Sequence, residues 1–208
     1  MKNIIVIGPP GSGKDTQIEE MKKYLEFEMI SGGDIARSLS STNPSIKAII
    51  DSGGLINDDL VINETDKMLA TISGDKGIVF DGFPRTLHQA EKMYEILSHH
   101  SRNLDAVIYI QLEEDKIVER LSRRKVCSLC KKNIPVGAMK CIHCSGRPVV
   151  RDDDSLATII KRVQTFLEST LPLVNYFTNK GILININGDQ SINRVAKDIS
   201  QGLLNVSK

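Results

Sequence analysis

The sequence predicts an α/β protein in which a parallel five-stranded sheet lies between two layers of helices. Short apolar runs alternate along the chain with longer segments whose composition suits helices. The apolar runs are nearly continuous, which is typical of parallel strands buried on both faces. The predicted strands are Asn3–Ile7, Phe27–Ile30, Gly77–Asp81, Ala106–Gln111 and Ile182–Ile186.

The predicted helices occupy most of the chain between these strands. This alternation implies a doubly wound sheet with right-handed crossovers. Ligands of such sheets bind beyond the carboxyl ends of the strands, so we expect the functional residues at that edge. The predicted helices lie near 14–26, 58–73, 86–99, 114–124, 155–179 and 191–204.

Two segments do not follow this alternation, and we interpret both as insertions at the ligand-binding edge. Residues 31–60 form short helical pieces broken by Pro44 and by Gly53-Gly54. Residues 125–152 are rich in Cys, Lys and Gly and show little periodicity. The predicted core then consists of residues 1–30, 61–124 and 153–208.

Length and composition are those of an ordinary globular protein. The chain has 208 residues, of which 40% are hydrophobic, and this is enough for one domain with insertions. A net charge of +1 gives no general attraction to nucleic acid or to a membrane surface. No apolar run approaches the roughly 20 residues of a membrane span, and the amino terminus does not resemble a signal peptide. We therefore expect a cytoplasmic protein whose cysteines are reduced unless they bind a metal.

The segment Gly8–Thr16, GPPGSGKDT, follows the first predicted strand and precedes the first helix. Its glycines allow successive backbone N–H groups to point at one anion, and the helix adds its positive N-terminal end. The spacing from Gly8 to Lys14 is that of a phosphate-binding loop. The strict signature has Ser or Thr after the lysine, whereas this chain has Asp15 and then Thr16. A plain glycine turn is the alternative interpretation.

The second predicted strand is followed by the segment Ser31–Arg37, SGGDIAR. Asp34 can cap the helix that begins there. Arg37 can bind a phosphate through two parallel hydrogen bonds. A solvated arginine on a surface helix is the alternative for this weak signal.

The third predicted strand ends in the segment Asp81–Thr86, DGFPRT. Asp81 can hold a magnesium ion directly or through water, or it can simply form a turn or a helix cap. Pro84 fixes a turn that aims Arg85. Gln89 follows on the next helix, and its amide can pair with both a donor and an acceptor of a base edge.

Arginines flank the second insertion. Arg120 and Arg124 are four residues apart and share one face of a helix. Arg151 and Arg162 follow the insertion. They either bind a ligand or serve as basic helix ends that complement the helix dipoles.

Two C-x2-C pairs, Cys127/Cys130 and Cys141/Cys144, are separated by ten residues. This spacing is typical of a tetrahedral four-thiolate zinc site, with a redox dithiol or disulfides as the alternative. Four thiolates leave no open coordination position, so we predict a structural metal. His143 lies inside the second pair and is interpreted as a surface residue.

Together these motifs resemble the adenylate kinases, specifically the bacterial form with a metal-binding lid. The family's GxPGxGKGT, STGDxxR and DGFPRTxxQA elements correspond to Gly8–Thr16, Ser31–Arg37 and Asp81–Ala90. The resemblance extends to the turn Asn187–Asp189. It implies an enzyme of nucleotide biosynthesis that transfers a phosphoryl group reversibly from ATP to AMP, giving two ADP. It further implies magnesium as cofactor, a structural zinc, no covalent intermediate, and a monomer that binds neither nucleic acid nor membrane.

The resemblance also implies a role for each matching residue. The residues implied for ATP are Gly11, Ser12, Gly13, Lys14, Asp15, Thr16, Arg120, Arg124 and Gln190. The residues implied for AMP are Gly32, Arg37, Gly54, Leu55, Ile56, Gly82, Phe83, Pro84, Arg85, Gln89, Arg151 and Arg162. The residues implied for phosphoryl transfer are Lys14, Asp81, Arg85, Arg124, Arg151 and Arg162. In the family the two insertions close over AMP and over ATP and exclude water.

Three departures from the family pattern leave alternatives open. Asp15 replaces a glycine beside the phosphates, Gly32 replaces a threonine near the AMP base, and the two cysteine pairs lie closer together. The alternatives are a nucleoside monophosphate kinase of other base preference, a catalytically inactive relative, and a zinc-ribbon protein that binds nucleic acid and uses nucleotide as a switch.

Overall fold

The computed structural model of the chain describes residues 2–130, 132–134, 137–150 and 155–206. Its main sheet is built from β1 (Asn3–Ile7), β2 (Phe27–Ser31), β3 (Gly77–Asp81), β4 (Ala106–Gln111) and β8 (Leu183–Asn187). These strands follow the order β2-β3-β1-β4-β8, and every neighbouring pair is parallel. The predicted fold class is confirmed.

The helices lie between these strands, as the alternation predicts. Their bounds are α1 (Lys14–Met21), α2 (Gly32–Thr42), α3 (Pro44–Asp51), α4 (Asp58–Thr71), α5 (Leu87–His99), α6 (Glu114–Ser122), α7 (Leu156–Thr165), α8 (Pro172–Asn179) and α9 (Ile192–Asn205). A π-helical segment, Phe166–Thr170, joins α7 to α8. Among the described residues, no helix is long and apolar enough to cross a membrane.

The three central strands, β3, β1 and β4, are almost continuously apolar and buried because helices cover both faces of the sheet, whereas the edge strands β2 and β8 are partly exposed. Along β1, Ile5 and Ile7 pack into one buried cluster with α2, α4, α5 and α8. Ile4 and Val6 pack into a second cluster with α1 and α9. This alternation of neighbouring residues between two cores produces the three layers.

Three sequence predictions about the helices are wrong in detail. The first helix ends at Met21 instead of residue 26, because residues 22–24 turn the chain back toward β2. The predicted helix 155–179 is divided, since Pro172 has no N–H to donate and instead begins α8. Asp34 does not cap α2; Ser31 does, and its Oγ accepts from the Asp34 backbone N–H.

The second insertion contains a small antiparallel sheet with the order β6-β5-β7. Its strands are β5 (Lys125–Cys127), β6 (Asn133–Ile134) and β7 (Pro148–Val149). Its buried cluster contains little besides Cys127, Ile134 and Cys141. So small a core cannot fold on apolar burial alone.

Candidate functional site

The loops after β1, β2 and β3 open at one edge of the main sheet. Asp81, the last residue of β3, pairs in register with Val6 of β1 and with Ser31 of β2. The phosphate-binding loop begins two residues beyond Val6. The parallel register therefore brings the glycine loop, the start of α2 and the Asp81–Thr86 segment to the same place.

The glycine loop has the backbone conformation that its sequence predicts. Gly11 and Gly13 have φ values of 81° and 92°, which favour glycine, and Gly13 is the N-cap of α1. The Lys14 Nζ donates to the carbonyls of Gly8, at 2.8 Å, and Pro9, at 3.1 Å. The lysine is thus folded back over its own loop, where an anion on the N-terminus of α1 would meet it.

Charges from several segments surround Lys14. Burial lowers the pKa of Lys14, whereas Asp81 and Asp15 raise it. Arg85 and Arg162 act on the pKa in the same direction as burial. The structure therefore brings together four of the residues predicted for phosphoryl transfer, from the glycine loop, from the end of β3 and from α7.

Asp81 is held in an environment that disfavours its charge. Burial, followed by the neighbouring Asp15, raises its pKa to about 6, although Lys14 and Arg85 act in the opposite direction. A carboxylate that is partly stripped of water and lies beside a phosphate loop is a suitable oxygen ligand for magnesium. Its predicted place at the end of a strand is confirmed.

The turn after β3 holds both the side chain and the backbone of Arg85 in place. Gly82 has a φ of 61°, and its carbonyl accepts from the Arg85 Nε at 2.8 Å. The Arg85 carbonyl accepts from the hydroxyl of Thr170 at 3.0 Å. Thr170 is buried in the π-helical segment, so a distant part of the chain supports this arginine.

A carboxylate that the sequence analysis missed lies against Thr86 and Gln89. The Asp58 carboxylate accepts from the Thr86 Oγ1 and from the Gln89 Nε2, each at 2.7 Å. The Gln89 Oε1 accepts from the Arg85 backbone N–H, also at 2.7 Å. In sequence, Asp58 looks like any acidic residue in the first turn of a helix, and so no local signal distinguishes it.

The first insertion supplies the residues predicted for AMP. Arg37 is exposed and forms an ion pair with Asp34 at 2.6 Å. Gly32 is buried beneath the carbonyl of Gly82: an added Cβ would lie 2.5 Å from that oxygen. The first insertion also touches α7, because the Thr165 hydroxyl donates to the Gly53 carbonyl at 3.2 Å. Gly54, Leu55 and Ile56 follow this contact directly.

The residues predicted for the ATP base also lie together. The Arg120 Nη2 donates to the Gly188 carbonyl at 3.0 Å and lies 3.3 Å from the Asp189 carboxylate. Gln190 follows in the same turn, where its Nε2 donates to the Asn187 carbonyl at 2.9 Å. The contact joins the end of α6 to the loop after β8.

Asp15 contacts the second insertion. The Asn133 Nδ2 donates to the Asp15 Oδ2 at 2.8 Å, across 118 positions of sequence. Both side chains are exposed. The residue at which this chain departs from the family loop is therefore a point of contact between that loop and β6.

The remaining predicted arginines are only partly placed. Arg162 lies in α7 and contributes to the field at Lys14. Arg124 lies between α6 and β5, at the entrance to the second insertion. Arg151 falls outside the described residues.

The four cysteines form one cluster. The Sγ atoms of Cys127 and Cys144 are 3.3 Å apart, and those of Cys130 and Cys141 are 3.6 Å apart. All four lie within 4.8 Å of one another. A tetrahedron with zinc–sulfur bonds of about 2.3 Å has sulfur–sulfur edges of about 3.8 Å, so the cluster fits this metal.

Glycine is required beside this cluster. An added Cβ on Gly146 would lie 2.4 Å from the Sγ of Cys127. The Cys141 N–H donates to the Gly146 carbonyl at 2.8 Å, closing the second knuckle. Gly137, which lies between the two cysteine pairs, has a φ of 85°, a conformation that also favours glycine.

Known proteins resemble this chain over nearly its full length. A sequence profile described as adenylate kinase matches residues 6–182. The chain is 37% identical to the adenylate kinase of Kosmotoga olearia, and the alignment covers 98% of the chain and all of the relative. It is 35% identical to the enzyme of Caldanaerobacter subterraneus, over 97% of the chain and 96% of the relative. It is 36% identical to the enzyme of Treponema denticola, over 93% of the chain and 95% of the relative.

Proposed function

The chain belongs to the adenylate kinase family and is a nucleoside monophosphate kinase, and we propose that it transfers the terminal phosphoryl group of ATP to AMP. The products are two molecules of ADP, and the transfer is direct and in line, without a covalent intermediate. The observation that carries this proposal is the convergence of Lys14, Asp81, Arg85 and Arg162 at the carboxyl ends of β1 and β3.

This convergence suits phosphoryl transfer because that reaction requires positioning and charge neutralisation more than covalent chemistry. The glycine loop offers backbone N–H groups and the N-terminus of α1 to the ATP phosphates. Lys14 and the arginines neutralise charge on the transferred group, where one arginine contributes about 10³-fold or more in rate in related phosphoryl-transfer enzymes.

Each nucleotide has its own side of the site. We assign ATP to Gly11–Thr16, with its base between Arg120 and Gln190 and its phosphates also facing Arg124. We assign AMP to the first insertion and to the turn after β3. The AMP contacts proposed are Gly32, Arg37, Gly54, Leu55, Ile56, Gly82, Phe83, Pro84, Arg85, Gln89, Arg151 and Arg162.

Magnesium bound with ATP would supply positive charge that neutralises the phosphates. Asp81 offers the carboxylate for such an ion, directly or through water. The Asp15 side chain is exposed and accepts a hydrogen bond from Asn133, so its carboxylate faces the second insertion as well as Asp81.

We divide the chain accordingly into a core of residues 1–30, 61–124 and 153–208, an AMP-binding insertion of residues 31–60, and a lid of residues 125–152. The cysteine cluster lies in the lid, and four thiolates around one ion would leave no open coordination position, which supports a structural role for zinc. Closure of both insertions would exclude water from the transferred phosphoryl group.

A coupled assay of ADP formation tests the proposal. We expect turnover with ATP and AMP, and a much lower kcat/KM with CMP, UMP or GMP in place of AMP. Lys14→Ala should reduce kcat by at least about 10³-fold, given the role of charge in this reaction. Lys22→Ala is the matched control, because Lys22 pairs with Glu19 on the exposed side of the chain next to α1.

Two results would contradict the proposal. Equal turnover with all four monophosphates would point to a kinase of other base preference. Full activity of folded Lys14→Ala would show that the site lies elsewhere. A dinucleotide polyphosphate that joins two adenosines should protect the chain against thermal unfolding and should lose this effect in Lys14→Ala.

A further inference from the structure

Gln89 is buried, and the orientation of its carboxamide is fixed by two partners. Only 2% of the residue is exposed. Its Nε2 donates to the Asp58 Oδ1 and its Oε1 accepts from the Arg85 N–H, both at 2.7 Å. A carboxylate can only accept and a backbone N–H can only donate, so the oxygen and the nitrogen of this amide cannot exchange places.

The two contacts use half of the amide's hydrogen-bonding capacity. A primary amide has two N–H donors and two acceptor lone pairs. One donor is taken by Asp58 and one lone pair by Arg85, which leaves one of each for a ligand. The remaining donor and acceptor are in a fixed order, because the amide cannot turn over.

That order matches one kind of purine. At its six-membered edge, adenine presents a donor amino group and, beside it, a ring-nitrogen acceptor. Hypoxanthine presents a carbonyl acceptor and an N–H donor at the same two positions. An amide held in one orientation can pair with the first pattern, and against the second it meets donor with donor and acceptor with acceptor.

We propose that Asp58 is a specificity-determining residue that acts through Gln89: by holding the amide in one orientation, it selects a 6-aminopurine monophosphate over a 6-oxopurine monophosphate. This inference rests on the proposed function, in which Gln89 reads the base of the acceptor nucleotide. Asp58 is a positioning residue and does not itself touch the base.

The surroundings of Asp58 hold it in place for this role. Its second oxygen accepts from the Thr86 Oγ1 at 2.7 Å, and Thr86 Oγ1 in turn accepts from the Gln89 N–H at 3.1 Å as the N-cap of α5. Asp58 is half-buried in the first turn of α4, where the helix dipole favours its negative charge. Both carboxylate oxygens are therefore committed, and the side chain is not free to leave Gln89.

The test compares AMP with IMP, which differ only at the two atoms that the amide would read. The kcat/KM ratio of AMP to IMP is measured for the wild type, Asp58→Ala, Gln89→Ala and the double variant. Without Asp58 the amide keeps one anchor and can turn, so we expect the ratio to fall about fivefold or more in Asp58→Ala, as for a lost bidentate base contact. In the Gln89→Ala background, loss of Asp58 should change the ratio no further.

Two variants separate positioning from general damage. Asp59→Ala removes the neighbouring carboxylate of the same helical turn, whose hydrogen-bond contact is with exposed His88 at 3.4 Å, and it should leave the ratio unchanged. Asp58→Asn keeps an acceptor oxygen for Gln89, and the Thr86 hydroxyl can rotate to accept from the new amide. We therefore expect Asp58→Asn to restore most of the wild-type ratio.

The outcomes are distinguishable. If the wild type does not phosphorylate AMP, the proposed function fails. If the wild type prefers AMP but folded Asp58→Ala has the wild-type ratio of kcat/KM for AMP to that for IMP, the inference is overturned. It is also overturned if loss of Asp58 lowers this ratio by the same factor in the presence and in the absence of the Gln89 side chain. Should Asp58→Ala not fold, Asp58→Ser suits a first helical turn, is too short to reach Gln89, and is judged by the same criteria.

Discussion

Asp81 shows how the chemistry of the site opposes the stability of the fold. Its pKa is raised from an ordinary 3.8 to about 6, first by burial and then by Asp15. Between these two values the folded chain binds more protons than the unfolded chain. The contribution of Asp81 to the free energy of unfolding is therefore most favourable below pH 4, where the carboxyl is protonated in both states. This contribution is lost as the pH rises through about 6. At neutral pH the charged carboxylate is retained at a cost, which is typical of a functional group.

We expect Asp81→Asn to stabilise the metal-free chain at pH 8 while abolishing most of its activity. A change in pKa from 3.8 to about 6 corresponds to at most roughly 3 kcal/mol, or about 5–10 °C in Tm. The gain should shrink below pH 6 and vanish near pH 4. Thermal melts of both proteins across this range, without magnesium or nucleotide, measure the difference. A constant difference at every pH would contradict the assignment of the cost to the Asp81 charge.

The structure gives Gly32 a packing role that the sequence does not reveal. The sequence alone indicates only that a hydroxyl near the AMP base is lost, because Gly32 replaces the family's threonine. In the structure an added Cβ would lie 2.5 Å from the Gly82 carbonyl oxygen, whereas at Gly33 its nearest contact would be the end of the flexible Arg37 side chain, at 3.2 Å. The turn that aims Arg85 thus packs directly against this glycine.

We expect Gly32→Ala to lower stability by about 1–3 kcal/mol, as overpacking does, and Tm by about 3–10 °C. The KM for AMP should rise, because the carbonyl that moves also accepts from Arg85. Gly33→Ala is the matched control, since both positions lie in the first turn of α2 and gain equally from the helix propensity of alanine. Equal melting temperatures for the two variants would argue against a close contact at Gly82.

At the scale of elements, the sequence predicts what depends on local pattern. All five main strands are found within a residue or two of their predicted bounds. The three central strands have the continuous apolar runs of strands buried on both faces. The sequence did not predict that the helix expected at 155–179 is divided. Its π-helical turn matters because it places Thr170 against the Arg85 carbonyl, and the periodicity of a sequence does not record such a contact.

Among the described residues, the proposed lid is the segment whose fold would depend most on a metal. Its buried cluster is small, and its knuckles bring four thiols within 4.8 Å of one another. Thiols this close are held together by bonds to an ion far better than by their own packing. The spacing of the cysteines predicts this cluster, whereas the close approach of Gly146 to Cys127 could be found only in the structure.

Removal of zinc with a strong chelator, or Cys127→Ser, should unfold the lid and leave the main sheet intact. We expect Tm to fall by about 5 °C or more, because the binding free energy of a structural metal is folding free energy. Hydrogen exchange should rise in residues 125–150 and remain slow in β1 and β3. Ser128→Ala, between the two ligands of the first knuckle, is the control. Unchanged melting after complete removal of the metal would refute the structural role.

At the scale of the whole molecule, the site is assembled from parts that are far apart in sequence. Parallel register brings the ends of β1, β2 and β3 together, and this much follows from the predicted topology. Contacts between separate segments do not follow from it: Asp58 with Gln89, Gly53 with Thr165, and Asn133 with Asp15. Each joins an insertion to the core through one or two hydrogen bonds, and a single sequence gives no sign of such pairs.

Because Asp15 accepts a hydrogen bond from Asn133, the replacement of the family's glycine by Asp15 should affect ATP binding in two opposing ways. Its carboxylate lies near the phosphate site and should repel ATP, but it also accepts a hydrogen bond from the lid. Asn133→Ala removes the bond and leaves the charge. We expect this variant to raise the KM for ATP about two- to tenfold, since an exposed hydrogen bond to a charged group contributes about 1 kcal/mol, and to leave the KM for AMP unchanged.

Asp15→Gly removes the bond and the repulsion together, so its KM for ATP should lie below that of Asn133→Ala. If the asparagine acts only through Asp15, adding Asn133→Ala to Asp15→Gly should change nothing further. Steady-state kinetics of the two single variants and the double variant, with ATP and AMP varied separately, measure these effects. Independent, additive effects of the two substitutions would mean that the lid closes over ATP without using this contact.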